Sequence, residues 1–300
     1  MWMRHAEADR QALESLLAEP EARRRWRDLD ELQVVATTLL GRLRAGRAAR
    51  LELRPAGRLR ERVDGALRSD RVEYLDRDDV PERVRAGVAG TLHRLNRVLA
   101  SYRRFSDVLL EPARRAGRPL RFLELASGAG ALAVVVARRA REEGLAVEVV
   151  GSDVSPGHVA RAAARWAGEP VRFEVIDALD LTHLPAGAFD LVWCAQCVHH
   201  FSPGALAALI AGASRVAPGG VLVIDGRRSG TTLAAITASG LLGAALAGRA
   251  AWPMLHDAVV SGLKFYADAE LELVARVAAP GARVVVRPLR PGFVILDVRR

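Results

Sequence analysis

The sequence predicts a doubly wound α/β protein whose sheet is mostly parallel and ends in an antiparallel hairpin. Short apolar runs alternate with helical stretches after residue 119, a glycine-rich turn joins the first run to a helix, and the last two runs stand close together. Strands that alternate with helices form right-handed βαβ units, in which the sheet is parallel and covered on both faces. We therefore expect helices on both sides of the sheet.

The predicted strands and helices follow one another in a regular order. Apolar runs predict five parallel strands, and helical periodicity predicts a helix after the first, second and fourth of them. The strands are predicted at residues 121–125, 147–153, 171–177, 190–194 and 221–225, and the helices at 131–143, 155–166 and 203–216.

The end of the chain is organised differently. A helix is predicted at residues 268–279, and two strands follow at 282–286 and 293–298. About half a dozen residues join these strands, which is too short for a parallel crossover, so we expect an antiparallel pair. The complete prediction is a seven-stranded sheet closed by one hairpin.

The first part of the chain is predicted to be helical. Leu13, Leu16 and Leu17 recur at helical spacing, a further helical segment spans residues 84–110, and a short strand at 51–53 stays open. We assign residues 1–70 to an N-terminal helical extension of unknown role, 71–118 to a helical lid, and 119–300 to the main domain. Within that domain, an insertion at about 229–264 is predicted to build a lid and a ligand pocket.

The net charge of +9 does not indicate nucleic-acid binding. Nearly all of the basic charge is arginine, since Lys264 is the only lysine, and arginines alternate with Asp and Glu as on solvated helix faces. Nucleic-acid binding needs a clustered basic patch with interleaved aromatic residues, and aromatic residues are only 5% of this chain. We therefore expect no nucleic-acid partner.

Cys194 and Cys197 are the only cysteines and form a Cys-x-x-Cys pair. A zinc site needs further ligands and a redox pair belongs at a helix start, so the two are interpreted as reduced packing residues and no metal site is predicted. The charged N-terminus has no secretory signal, which predicts a cytoplasmic protein. Residues 229–248 are uncharged but rich in Ala and Gly, so no membrane span is expected.

Ligands of open α/β sheets bind beyond the carboxyl ends of the strands. Gly128 and Gly130 follow the first strand and allow the backbone to turn sharply before a helix N-terminus. Their spacing also fits the G-x-G-x-x-A pattern of a dinucleotide site. Glu124, just before the glycines, suits an ammonium and repels a pyrophosphate. Asp153 and Asp177 end the next two strands, where they suit ribose hydroxyls and an exocyclic amine.

Five segments resemble the motifs of class I S-adenosylmethionine (SAM)-dependent methyltransferases, which have a Rossmann-like fold. FLELASGAG at 122–130 is similar to their glycine-rich first motif, VGSDVS at 150–155 to the second, and residues 173–178, 189–194 and 215–220 to the following ones. The resemblance covers roughly residues 72–300. Ala126 departs from it, because the family usually has a glycine there; alanine is tolerable if the turn keeps φ negative.

The resemblance implies that SAM is the cofactor and identifies residues that hold it. It implies His199 or His200 as a general base oriented by Asp225, although a purely structural role competes for either histidine alone. The cofactor residues that it implies lie at the ends of strands one to four: Glu124, Ala126, Ser127, Gly128, Gly130, Asp153, Val154, Asp177, Ala178, Cys194 and Gln196.

The acceptor of the methyl group is predicted to be a small molecule. Apolar residues of the 229–264 segment are expected to line its pocket, with Arg228, Trp252, His256 and Asp257 as acceptor contacts. The chain looks most like bacterial small-molecule methyltransferases of quinone, phenol and polyketide tailoring. That likeness implies a hydrophobic or aromatic acceptor, methylated at a hydroxyl. A homodimer is left open.

Three other functions fit the same sequence features, and one of them is unusual SAM chemistry such as a cyclisation. An NAD(P)-dependent oxidoreductase would use the glycine-rich loop for a nicotinamide cofactor and have little affinity for SAM. A non-catalytic SAM-fold binding module would retain SAM while its N-terminal helices bind a protein or a membrane. Calorimetry with SAM and NADH separates the oxidoreductase from methyl transfer, and labelled SAM with a panel of phenols and quinols addresses the others.

Overall fold

The computed structural model describes residues 2–52, 65, 68, 71–74, 77, 79–247 and 251–300. The helices before the sheet are α1 (Trp2–Leu17), α2 (Pro20–Arg23), α3 (Leu29–Glu52), α4 (Glu82–Val98), α5 (Ser101–Leu109) and α6 (Glu111–Ala116). The sheet and its helices follow as β1 (Leu120–Leu125), α7 (Ala131–Glu142), β2 (Val147–Asp153), α8 (Pro156–Arg165), β3 (Val171–Val175), β4 (Leu191–Ala195), α9 (Pro203–Val216) and β5 (Val221–Gly226). The chain continues with α10 (Gly230–Ala247), α11 (Ala251–Lys264), α12 (Asp268–Ala278), β6 (Arg283–Leu289) and β7 (Phe293–Arg299).

The seven strands form one sheet in the order β3-β2-β1-β4-β5-β7-β6. Strands β1 to β5 are parallel, whereas β7 is antiparallel to both β5 and β6. The strand order reverses between β1 and β4, and ligands of open α/β sheets bind at such a switch point. The predicted fold class, with its C-terminal antiparallel hairpin, is confirmed.

Alternate side chains of the strands enter two separate cores. From β1, Leu123 and Leu125 pack on one face with residues of α3, α9 and α12. Phe122 packs on the other face with residues of α5 and α7, and Trp193 of β4 lies edge-on to it at 6.2 Å between ring centroids. Because successive side chains of a strand point to opposite faces, a sheet covered on both sides needs apolar residues at nearly every position.

Helix α3 of the N-terminal extension packs into the core of the main domain. Leu32, Leu39 and Leu40 are fully buried in the same cluster as residues of α9 and α12. Gly204 at the start of α9 permits this close approach, since a Cβ there would lie 2.8 Å from the carbonyl oxygen of Gln33. Each buried leucine contributes about 1.5–3 kcal/mol, so α3 and the domain stabilise each other.

The helical segment predicted at residues 84–110 is divided in two. Helix α4 ends at Val98, and Ala100 adopts a left-handed conformation with φ of 53° before α5 begins at Ser101. The sequence has neither glycine nor proline at this break. The helical periodicity continues through it, and for this reason a single helix was predicted. Residues 51 and 52 are the last of α3 rather than part of a strand, and residue 53 lies outside the described residues.

The insertion after β5 consists mainly of α10 and α11, which pack against each other. Helix α10 also contacts α4, so the insertion meets the predicted lid segment. In the described ranges, every helix is too short or too polar to cross a lipid bilayer.

Candidate active site

The loop between β1 and α7 has a left-handed backbone at three positions. Gly128 and Gly130 have φ of 52° and 71°, and Ala126 has φ of 52°. The expectation that Ala126 keeps φ negative is therefore wrong, because the sharp turn after β1 forces this residue into the left-handed region. The left-handed conformation costs an alanine roughly 1–2 kcal/mol. A Cβ built on Gly128 would meet no atom within 4 Å, so a ligand has room to approach the backbone there.

Glu124 lies at the carboxyl end of β1. Its side chain is buried, and Oε2 accepts a hydrogen bond of 3.0 Å from the backbone N–H of Ala133 in the first turn of α7. Burial raises the pKa of Glu124 from its ordinary value of 4.5 to about 8. A cation placed at this end of the strand favours the charged carboxylate, so the position suits a ligand ammonium.

Asp153 ends β2 and fixes the glycine-rich loop from the neighbouring strand. Its Oδ2 accepts a hydrogen bond of 3.0 Å from the N–H of Gly128, Oδ1 accepts one of 2.9 Å from the N–H of Ser155, and Nδ1 of His158 lies 3.2 Å from Oδ1. Burial on its own raises the pKa of Asp153, but these hydrogen bonds and the imidazole outweigh it and lower the pKa. The carboxylate is held in one orientation and keeps lone pairs for hydroxyl donors.

The end of β3 continues this edge of the sheet. Asp177 is exposed and accepts a hydrogen bond of 2.9 Å from the N–H of Leu179, which closes a tight turn. The neighbouring Ala178 is buried, whereas Val154 is 61% exposed beside Asp153. Fixed carboxylates next to an accessible apolar side chain suit a nucleoside, which needs both polar partners and an apolar contact.

Cys194 lies near the end of β4, and the turn after this strand carries Gln196 and Cys197. The structure pairs the two cysteines in a disulfide, so the prediction of two reduced residues is wrong: the turn, in which Gln196 has φ of 57°, brings their side chains together. Cys194 still packs in the core, where it is fully buried. Oε1 of Gln196 accepts a hydrogen bond of 3.1 Å from Nδ2 of Asn96 in α4, so the lid segment contacts the end of β4.

His199 and Asp225 follow neighbouring strands and meet at their carboxyl ends. Nδ1 of His199 lies 2.9 Å from Oδ2 of Asp225, which also accepts a hydrogen bond of 2.9 Å from the His199 N–H. Oδ1 accepts a hydrogen bond of 2.7 Å from the N–H of Gly226. Both side chains are buried. The structure thus brings these two predicted residues together and holds the imidazole in one orientation by a carboxylate.

Glu73 faces the opposite side of the His199 ring. Its Oε1 lies 3.6 Å from Nε2 of His199, and its Oε2 lies 3.8 Å from Nε2 of His200. Nζ of Lys264, the last residue of α11, lies 3.5 Å from Oε1. The carboxylate is buried, with only 6% of the residue exposed. The segment before the sheet therefore supplies a charged side chain to the ends of β4 and β5.

A cavity of about 400 Å³ opens beside the two histidines. This volume lies within the roughly 300–1,000 Å³ that small-molecule sites occupy. Its lining includes Arg44, Arg68 and Lys264 together with Val72, Leu263 and Tyr266. Arg44 and Arg68 donate hydrogen bonds of 2.8 and 2.6 Å to the buried carboxylate of Glu270. The cavity is therefore more basic than the apolar pocket that the sequence predicts.

None of the four predicted acceptor contacts belongs to the described lining of this cavity. Arg228 donates a hydrogen bond of 2.8 Å to a backbone carbonyl near the end of α11. Nδ1 of His256 lies 2.8 Å from Oδ1 of Asp257, which also accepts a hydrogen bond of 2.5 Å from the N–H of Tyr74. Trp252 is 67% exposed. Contact of these residues with the acceptor stays a prediction.

The sequence did not predict His158, Asn96, Glu73 or Lys264 as residues of the site. His158 stands three residues after the helix cap Ser155, a spacing that places its ring over the end of β2, so a local signal was present. Asn96 and Glu73 reach the site from segments distant in the chain and carry no motif. They are found only when the fold is known.

Residues 122–220 match the family described as "Methyltransferase domain". A relative named demethylmenaquinone methyltransferase, from Thermus thermophilus, is 41% identical over 126 residues, which are 41% of this chain and 51% of the relative. The chain thus spans about half the length of the curated relative that it matches.

Two solved structures show a similar fold. An O-methyltransferase family protein from Burkholderia thailandensis has a TM-score of 0.51 and 21% identity, and the match covers 80% of this chain and 67% of that one. The plantazolicin methyltransferase in complex with a triazolic analogue and S-adenosylhomocysteine (SAH) has a TM-score of 0.51 and 13% identity, with coverages of 70% and 89%. These two structures support the fold, and the family match lies within the part of the sheet that carries the glycine-rich loop.

Proposed function

We propose that this methyltransferase domain is an enzyme that transfers the methyl group of SAM to a hydroxyl of a hydrophobic or aromatic small molecule. One observation carries the proposal: two groups of side chains meet at the carboxyl ends of neighbouring strands. The cofactor edge consists of Glu124, Gly128, Asp153 and Asp177. The acceptor edge consists of His199 and Asp225 with Glu73, His200 and Lys264. Because β1 pairs with β4, the two edges adjoin.

The cofactor edge fits SAM in charge and in shape. SAM combines an ammonium group, a ribose and an adenine, for which Glu124, Asp153 and Asp177 offer carboxylates at the ends of three adjacent strands. The carboxylates of Asp153 and Asp177 repel a pyrophosphate, which argues against a dinucleotide. Bound at this edge, SAM supplies a methyl group on a positively charged sulfur.

The acceptor edge supplies the group that receives a proton. With Nδ1 turned towards Asp225, His199 presents Nε2 to the side of Glu73 and of the cavity. A hydroxyl acceptor gives its proton to Nε2, its oxygen forms the bond to the methyl carbon, and the S–C bond breaks with its electron pair left on sulfur. Alignment of the reacting atoms at near contact supplies much of the remaining acceleration.

The cavity supports an acceptor of moderate size with an acidic hydroxyl. Its volume of about 400 Å³ suits a ring system, and Lys264 in its lining favours a developing oxyanion. The name of the relative, demethylmenaquinone methyltransferase, supports a quinone-type ring system as the acceptor. A phenol or a quinol meets both requirements.

Calorimetry and a labelled-methyl assay test the proposal. We expect the protein to bind SAM with much higher affinity than NADH, and to label at least one phenol or quinol of a panel. Binding of NADH instead of SAM would support an oxidoreductase, and binding of SAM without any labelled product would support a non-catalytic module. Either outcome contradicts the proposal.

The base assignment has its own test. His199→Ala should lower kcat by about 10²–10⁴-fold while the affinity for SAM is retained. His183→Ala, a change at an exposed histidine outside both edges, is the matched control. Loss of SAM binding in His199→Ala would mean that this histidine holds the cofactor rather than the acceptor proton.

A further inference from the structure

We propose that Glu73, His199 and His200 form a binding site for one divalent transition-metal ion, with Zn²⁺ as the best match. One ligand atom from each of these three side chains lies within 4.8 Å of the other two. Two imidazole nitrogens and one carboxylate are a ligand set that zinc uses in catalytic sites. Methyl transfer does not require the ion, so the site is an addition to the proposed function.

The distances within the cluster are somewhat longer than those around a tetrahedral ion. Bonds of about 2.0–2.1 Å around tetrahedral zinc place neighbouring ligand atoms about 3.3 Å apart. Oε1 of Glu73 lies 3.6 Å from Nε2 of His199, and Oε2 lies 3.8 Å from Nε2 of His200, so each imidazole faces its own carboxylate oxygen. With one ligand atom from each side chain, all three separations are at most 4.8 Å. The side chains therefore move together by up to about 1.5 Å to close around zinc.

The side chain of His199 is already oriented as a metal ligand. Its Nδ1 lies 2.9 Å from Oδ2 of Asp225, and its Nε2 points to Glu73. Histidines that bind metals usually have the other ring nitrogen hydrogen-bonded to a carboxylate or carbonyl, which fixes the ring and makes it a better ligand. Asp225 occupies that position, and two backbone N–H groups hold it in place.

The carboxylate of Glu73 has an unsatisfied oxygen that points into the cluster. Oε1 is buried and accepts no hydrogen bond from any described residue. Its nearest ionisable neighbours are His199 and Lys264, at 3.6 and 3.5 Å. A buried polar atom without a hydrogen bond costs about 1–3 kcal/mol, and a bound cation removes that cost. The position of Glu73 therefore suits a ligand of a cation.

A change at Lys264 should strengthen metal binding, whereas changes at the ligands should weaken it. Its ammonium occupies the neighbourhood of Oε1 and repels a second cation, so Lys264 and the metal ion compete for the same carboxylate. Replacement of Lys264 by an uncharged residue of similar length should therefore strengthen metal binding. If Glu73 were only a structural partner of Lys264, the same change would leave a buried carboxylate uncompensated and destabilise the fold.

The ion would leave its fourth position open to the cavity, because both histidines line that cavity. Held by Glu73, His199 and His200, the ion would supply Lewis-acid activation of a hydroxyl acceptor, whose proton would pass to solvent. His199 holds either a proton or the ion at Nε2, so the loaded and the ion-free enzyme activate the acceptor in different ways. This role in activation rests on the proposed function, whereas the binding site itself does not.

Metal binding is measured directly, without any methyl acceptor. The purified full chain is stripped with a chelator and titrated with Zn²⁺ against a chromophoric competitor, and separately with Co²⁺, whose visible absorption reports tetrahedral coordination. We expect one equivalent per chain. Absence of stoichiometric binding in the wild type would overturn the proposal, whatever the outcome of the SAM and methyl-transfer assays.

The variants show whether these three residues are the ligands. Glu73→Gln and His200→Ala should each weaken Zn²⁺ binding beyond the roughly 10–100-fold that loss of an outer-shell partner causes, and Asp225→Asn should fall within that range. Lys264→Met should bind Zn²⁺ more tightly than the wild type. Glu111→Gln, a change in an exposed ion pair of α6, should bind it unchanged.

Controls separate loss of the site from loss of the fold. Circular dichroism and SAM calorimetry on each variant report folding and the cofactor edge independently of the metal. Since His200 is partly exposed, His200→Ala keeps the test valid even if Glu73→Gln fails to fold. Undiminished metal affinity in a folded His200→Ala protein, or weaker binding in Lys264→Met, would contradict the assignment.

Discussion

The cofactor edge and the acceptor edge are built in different ways. At the cofactor edge, the hydrogen bonds that fix Glu124 and Asp153 join residues 9 and 25 positions apart in the sequence. Both lie within the first βαβ unit. At the acceptor edge, His199 and Asp225 are 26 positions apart, but Glu73 comes from before the sheet and Lys264 from the insertion after β5.

This difference indicates that cofactor binding and acceptor recognition depend on different parts of the chain. Local segments contain all that the cofactor edge needs, so its geometry follows from the βαβ fold itself. The acceptor edge depends on how the N-terminal segment and the insertion close over the sheet. We infer that cofactor binding is a property of the fold, whereas acceptor specificity is a property of these two added segments.

The largest expected effect is at the acceptor edge. Asp225→Asn removes the charge that orients His199, so we expect kcat to fall by on the order of 10²–10⁴-fold while the Kd for SAM stays within a factor of a few. Asp297→Asn, in the neighbouring strand β7, serves as control. If kcat is retained, or if SAM binding is lost in parallel, the two edges are not separate as described.

The next effect is at the cofactor edge. Asp153→Ala removes a carboxylate that holds Gly128 and that we expect to bind the ribose, so the Kd for SAM should rise by roughly 10–100-fold. Turnover at saturating SAM should change far less than in Asp225→Asn. Asp180→Ala, at an exposed position after β3, is the control. An unchanged Kd for SAM in Asp153→Ala would mean that the cofactor does not bind at the end of β2.

The raised pKa of Glu124 predicts that the stability of the fold depends on pH. Its folded-state pKa, raised by burial to about 8, lies above the ordinary value of 4.5, so the folded protein retains a proton that the unfolded chain releases. The contribution to stability is complete below the lower value and is lost as pH rises towards the upper one. Between them the free energy of unfolding should fall by up to about 1.4 kcal/mol per pH unit.

Denaturant unfolding at several pH values measures this slope. Glu124→Gln keeps a neutral side chain that accepts the Ala133 hydrogen bond, so the difference between wild type and variant isolates the titration of Glu124. We expect the variant to lose the decline with pH. Parallel slopes for the two proteins would mean that Glu124 is not protonated in the fold.

The smallest expected effect concerns the backbone of the glycine-rich loop. Ala126→Gly relieves a left-handed alanine but makes the unfolded chain more flexible, so the free energy of unfolding should rise by no more than about 1 kcal/mol. Ala129→Gly, in the same loop, has only the second effect and should lower it by about 0.4–1 kcal/mol. Equal destabilisation of both variants would contradict the positive φ at Ala126.

The sequence predicted the cofactor edge much better than the acceptor edge. Glycines and carboxylates at strand ends are local signals, and they identified Glu124, Gly128 and Asp153. The sequence also predicted that His199 or His200 would meet Asp225, because β4 and β5 were expected to be neighbours. It missed Glu73, which has no motif and reaches the site only through long-range packing.

Two errors concern local conformation. The positive φ of Ala126 was not predicted from the sequence. A glycine normally signals such a backbone conformation, and an alanine does not. The pairing of Cys194 with Cys197 was not predicted because composition suggested reduced residues, while the turn at Gln196 decides the distance between them. In both cases the tertiary structure determines the backbone against the local preference.

A crystal structure with bound SAH tests the central claim most directly. If the two edges form one active site, the adenosine should lie along β1 to β3 against Asp153 and Asp177. The sulfur should then face the end of β4, on the side of His199 and the cavity. Binding at another edge of the sheet, or a sulfur that faces away from His199, would contradict the division into a cofactor edge and an acceptor edge.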